Sequence, residues 1–267
     1  MLRNVFLKSL RDLRRAFFWW SLGLVGLVAL MVSVYPSVRD NEALNKLVND
    51  YPAALKGFVA FGGEIDYVSA AGYLGSELFS LMVPLLLLVA AIGAGARAIA
   101  GEEERGTLDL LLAHPISRRR FALEKLAALI AEIVGLGIVL FAALEVGSRA
   151  VALDISASHL AAATTAAVLL AISFGAVAFL LGAATGHRGR ASGIAAALAV
   201  ASYVVNGLAP LVGALEHLQK VSLFYHYAGS DPLREGLSAS HVGVLLGVAV
   251  IAGALAPLAF ERRDLAA

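Results

Sequence analysis

The sequence predicts an all-α, polytopic membrane protein. It has six transmembrane helices, an N-terminal interfacial helix before them and a short helix in a cytoplasmic loop. Three observations carry this. Of 267 residues, 60% are hydrophobic and only 15% are charged, whereas a water-soluble domain uses about a quarter charged residues to clothe its core. Six apolar stretches reach the ~20 residues that a helix needs to cross the hydrocarbon layer: 17–35, 76–98, 126–147, 160–183, 191–214 and 241–260. Lysine and arginine are also unevenly shared between the connecting segments. With the N-terminus inside, 1–16, 97–125, 186–190 and 261–267 hold 15 of them, and the outer segments 36–75, 148–159 and 215–240 hold 6. The positive-inside rule therefore puts both termini in the cytoplasm.

The arm 1–16 carries Arg3, Lys8, Arg11, Arg14 and Arg15. Val5, Phe6, Leu10, Leu13 and Phe17 recur at helical spacing, so the arm reads as a helix lying in the membrane interface before the chain turns into the first span. Trp19 and Trp20 suit the headgroup boundary. The apolar run is too long for a signal-peptide core and ends in Ser33-Val34-Tyr35-Pro36, without a cleavage site, so it is read as a retained span.

The outer loop 36–75 has an apolar stripe, Leu44, Leu47, Val48, Tyr51, Leu55 and Phe58, which fits a short external helix interrupted by Pro52 and ended by Gly62-Gly63. Its acids, Asp40, Glu42, Asp50, Glu64 and Asp66, with Glu77 at the span edge, read as a solvated face. Pro84 and Pro210 are expected to kink their helices. Only Thr185 to Arg190 divides the fourth and fifth spans, which suggests a tight helical hairpin.

Catalytic chemistry is not evident. There is no Gly-Lys dipeptide, hence no Walker loop, no His-Glu-x-x-His and no Gly-x-Ser-x-Gly. There is no cysteine either, so thiolate chemistry and thiolate metal sites are excluded. A net charge of +1 gives no reason to expect nucleic acid. Glu132 and Glu145 fall inside the third span. They are 13 residues apart, which at ~100° per residue separates them around the helix. The reading is structural: Glu132 lies about two turns from Lys125, and Glu145 is followed by Arg149 at i+4. A proton relay is the competing reading. Gly182/Gly186, Gly189/Gly193 and Gly243/Gly247 have the small-xxx-small spacing that lets helices approach closely.

The segment between the second and third spans is the most informative. Gly106 or Thr107 can open a short helix with Leu108, Leu111 and Leu112 on one face and Asp109 in its first turn, where the helix dipole favours an acid. Pro115 ends it, and Ser117 can cap the following helix, with Arg118, Arg119 and Arg120 at the membrane surface.

The block Glu102-Glu103-Glu104-Arg105-Gly106-Thr107-Leu108-Asp109-Leu110-Leu111-Leu112-Ala113-His114-Pro115-Ile116-Ser117-Arg118 resembles the E-x-x-x-G-T-L-(D/E)-L-L-L-x-x-P-(I/V)-(S/T)-R block of type-2 ABC export permeases. Pro232-Leu233-Arg234-Glu235-Gly236 after Phe224-Tyr225-His226-Tyr227, and the closing Phe260-Glu261-Arg262-Arg263-Asp264-Leu265, are similar to family segments as well.

The resemblance implies that residues 1–267 form one permease domain of an ATP-driven exporter in the plasma membrane. The chain would pair with a second permease subunit and with a cytoplasmic ABC ATPase, which alone would bind ATP and Mg. Gly101 to Arg118 would hold the coupling helix. Glu102, Glu103, Glu104 and Arg105 would contact the ATPase, Leu108, Leu111 and Leu112 would anchor the helix, and Pro115 would set its exit. The outer segment, with Phe224, Tyr225, Tyr227 and Pro232, would close the outer exit through short re-entrant helices. The alternative is a secondary transporter or channel driven by an ion gradient. The residues do not name a substrate.

Overall fold

The computed structural model describes residues 4–39, 41, 52, 56, 58, 69–108, 111 and 116–263. Among them every regular element is helical. The chain begins with α1 (Val5–Arg39), then α2 (Ala70–Leu74), a π-helical turn (Gly75–Phe79) and α3 (Met82–Ala98). A short α4 (Ala100–Glu104) leads to the loop before α5 (Arg118–Ala150). The hairpin α6 (Ala157–Thr185) and α7 (Arg188–Leu208) follows, then the short α8 (Glu216–Gln219) and α9 (Leu223–Ala228), and finally α10 (Ala239–Arg262). Six helices are long and apolar enough to cross a membrane, with α2 through α3 counted as one.

The predicted separation of an interfacial arm from the first span does not occur. Residues 5–39 form one helix of 35 residues. At 1.5 Å per residue this is ~52 Å, well beyond the ~30 Å hydrocarbon layer. No glycine or proline lies between Val5 and Leu22 to break it. The basic residues therefore ride on a helical extension of the span. Most of the predicted external helix, including Leu44, Leu47, Val48, Tyr51 and Leu55, lies outside the described residues, as do Asp109, Leu112 and Pro115.

The second span starts earlier than its apolar run suggests. Ser69 caps α2 by accepting the Gly72 amide at 3.1 Å. The helix is then interrupted rather than gently kinked: Leu81 has φ −139° and ψ −49°. Pro84 is the cause. It has no N–H to give to the carbonyl of Ser80, and its ring clashes there. At the same end of the bundle, α7 stops at Leu208 instead of reaching 214, where Pro210 has no N–H to give to the carbonyl of Asn206. The hairpin prediction holds. Gly186 takes φ +67° and donates its amide to Gly182 O at 3.0 Å, which ends α6 in a left-handed cap.

The helix α6 is the centre of the bundle, with 78% of its most apolar window buried. Helices in lipid associate through close packing, and α3 and α6 use glycine for it. A Cβ placed on Gly95 would lie 2.3 Å from the Gly175 carbonyl oxygen. Gly182 similarly faces the Ala96 carbonyl, at 3.2 Å. By contrast, Gly189, Gly193, Gly243 and Gly247 face open space, so their spacing serves no close approach among the described residues. Ser173 donates to Leu245 O at 2.8 Å and so joins α6 to α10. Against α5, α1 packs Phe17 over Gly135 and Val32 over Gly147.

Candidate functional site

The segment Glu102 to Thr107 forms a helix end. Gly106, at φ +65°, donates to Glu103 O at 2.8 Å, and Thr107 donates its amide to Glu102 O at 2.9 Å. This pair of bonds around a left-handed residue is a Schellman cap, and glycine fills that conformation without steric cost. A further turn begins at once, since Leu111 donates to Thr107 O at 3.2 Å. Leu108 is buried and Leu111 half-buried.

Successive residues on a helix point ~100° apart, and the three glutamates grip different neighbours. Glu102 points inward and is 3% exposed. Its Oε1 receives Lys125 Nζ from α5 at 2.6 Å and Lys8 Nζ from α1 at 3.4 Å. Its Oε2 receives the Thr107 hydroxyl at 2.6 Å, with Arg105 at 3.3 Å. Glu103 pairs with Arg263, just past α10, and this pair sits against Gly186 in the α6–α7 turn. Glu104 is exposed and accepts the backbone amide of Arg188, the first residue of α7, at 2.8 Å. Amides at a helix start lack intrahelical partners, so this carboxylate caps α7 from another element.

Burial by itself would raise the Glu102 carboxyl, but the hydrogen bonds from Lys125 and Thr107 and the nearby cations outweigh it and hold it at about 2. The expected contact surface thus has two parts. Glu102 is engaged inside the chain, whereas Glu104 and the Arg105 guanidinium, 66% exposed, lie outside. Gly101 is buried beneath them. The loop's exit is also fixed. Ser117 caps α5 by accepting the Arg120 amide at 3.2 Å, and Arg118 donates to Arg263 O at 3.0 Å while lying 5.8 Å over the Phe260 ring.

The segment expected to face outward lies at the opposite end of the bundle. Ser222 caps α9. Phe224 and Tyr227 are buried, and the Tyr227 hydroxyl donates to Phe79 O at 2.7 Å, in the π turn. Tyr225 and Pro232 are half-buried and line a cavity of about 370 Å³ with Asp231 and Arg234. The structure therefore does not join the two groups of predicted site residues. It puts them at opposite ends of the bundle.

The family model described as ABC-2 family transporter protein matches residues 3–265. The chain belongs to the ABC-2 transporter family. No curated protein matches it. It is thus the membrane-spanning component of a transport system, a permease.

Three features of the permease were not legible in its spacing. Lys8, Lys125, Arg188 and Arg263, the partners of the glutamates, come from four distant segments. Lys125 is taken by Glu102, so the expected Lys125–Glu132 pairing is not made. Glu132 is 4% exposed and its Oε2 has no hydrogen-bond partner among the described residues. Glu145 does pair with Arg149, at 2.5 Å. Finally, His226 and His241, 15 positions apart, put their Nδ1 atoms 3.1 Å apart where α9 meets α10. No group of three or more metal-binding side chains occurs among the described residues.

Proposed function

We propose that this permease serves an ATP-driven exporter and receives the motion of a separate cytoplasmic ABC ATPase through Gly101 to Arg118. One observation carries this reading: Glu102, Glu103 and Glu104 tie the start of that loop to α5 and α1, to the end of α10 and to the first amide of α7. A push on a loop fastened in this way is delivered to four long helices at once. The exposed Glu104 and Arg105, with the turn through Leu111, form the outer side of the lever. ATP and Mg act in the partner, and this chain supplies the path. A second permease subunit completes that path, with the loop and both termini in the cytoplasm. The segment holding Phe224, Tyr225, Tyr227 and Pro232 closes the outer exit.

The absence of cysteine allows a clean test. Arg105→Cys and Leu111→Cys, each co-expressed with a candidate ABC ATPase bearing single cysteines around its surface groove, are expected to cross-link to it. A cysteine at Ser158, exposed at the other end of the bundle, is expected not to cross-link. Cross-linking from Ser158 alone would overturn the assignment.

A further inference from the structure

Beside the Glu102 cluster, a groove of about 510 Å³ opens between the extended end of α1 and the ends of α3 and α5. This volume falls in the ~300–1,000 Å³ range of small-ligand sites. It arises because α1 packs closely on α5 but only sparsely on α3. Its polar wall holds Arg15, Arg97, Arg105 and Lys125 against two carboxylates, Asp12 and Glu102.

Both carboxylates are already engaged. Asp12 pairs with Lys8 at 3.4 Å, and Glu102 pairs with Lys125, Lys8 and Arg105. Arg15 and Arg97 have no ion-pair partner among the described residues, although Glu132 is near enough for its charge to be felt by Arg97. The rest of the lining is apolar, including Leu13, Ala94, Ala98 and Leu129, and Trp19, 59% exposed, forms the lip. The site therefore offers two uncommitted guanidiniums at the level where the apolar span gives way to its basic extension, with an apolar floor below them.

We infer that this groove binds the headgroup of an anionic phospholipid. The phosphate sits between Arg15 and Arg97, and an acyl chain lies along the α1–α3 seam. Guanidinium matches phosphate in charge and in bidentate geometry. Basic pockets between membrane helices at a charged leaflet favour such headgroups, and a tryptophan at the lip suits the same depth. The apolar floor favours a lipid over a free anion, which gains nothing from it. The inference rests on the six-span fold and not on coupling to an ATPase.

The test uses the full-length protein in nanodiscs of equimolar phosphatidylglycerol and phosphatidylcholine, with retained lipid counted by native mass spectrometry after release. Wild type is expected to retain phosphatidylglycerol preferentially. Arg15→Gln and Arg97→Gln are each expected to cut that preference by roughly fivefold, from ~1 kcal/mol per basic residue. Arg97→Lys, a variant that keeps the charge if the glutamine variant misfolds, is expected to keep most of it. Arg11→Gln and Arg14→Gln, on exposed faces of α1 outside the groove, are expected to change nothing. Equal retention of both lipids, or a preference untouched by the groove variants, would overturn the inference. Millimolar inorganic phosphate that displaced the lipid would make this a free-anion site and also overturn it. So would groove variants that kept the lipid but lost self-association or ATPase association, which would make the groove a protein contact.

Discussion

Lys125 Nζ lies 2.6 Å from Glu102 Oε1, and both side chains are withdrawn from solvent at the end of α5 and in α4. The pair fastens the loop to α5, a helix of 33 residues. Lys125 also lies 5.6 Å from the Phe121 ring centroid, so little else is available to solvate it.

Removing both members should therefore cost less than the sum of removing each. Glu102→Gln is expected to destabilise the protein by about 3–5 kcal/mol, because it strands a buried ammonium. Glu102→Gln with Lys125→Met is expected to lose less than the two single variants together. Thermal unfolding in one detergent measures all three. Additive losses would show that the pair is not coupled.

The same carboxylate predicts an acid response. Its folded-state value, about 2, is below its ordinary 4.5. The stabilisation it gives is therefore complete above the ordinary value and is lost as pH falls from there through about 2. The difference in melting temperature between wild type and Glu102→Gln should be constant near neutral pH and shrink below pH ~4.5. A difference that grows with acid would contradict the charge assignment.

Close helix packing gives a third prediction. Gly95→Ala puts a methyl group against the Gly175 carbonyl, with no flexible side chain to yield. A loss of about 1–3 kcal/mol is expected from the forced separation of α3 and α6. Gly247→Ala, which meets nothing within 4 Å, should leave stability unchanged. Chemical unfolding of the purified variants compares the two, and equal effects would contradict the packing.

At the end of the bundle away from Glu102, Tyr227→Phe removes the hydroxyl that holds α9 to the π turn at Phe79. About 0.5–1.5 kcal/mol is expected to be lost. The loss should appear as faster hydrogen exchange over 223–228, with the α6–α7 turn at Gly186 unaffected. Uniform acceleration along the chain would show that the contact is not local.

The sequence by itself determined the elements whose cause is local. Apolar run length fixed the six spans, since lipid offers no partner to an open backbone. Ser117 announced its cap, the short divide from Thr185 to Arg190 its turn, and Glu145 its pair with Arg149 four residues on. The Glu-Glu-Glu-Arg-Gly-Thr block also marked the family and the region around which the site is built. What it did not determine was which way each glutamate faces. Read as one acidic surface, the three side chains in fact diverge around a helix end. Glu102 turns into the bundle because Lys8 and Lys125 are there, and those lysines are brought to it only when α1 runs on unbroken and packs against α5. The groove with Arg15 and Arg97 has the same origin. Residues 82 positions apart line one groove because helices of unequal length pack side by side and leave a seam, a relation set by tertiary packing and absent from the periodicity of any single helix.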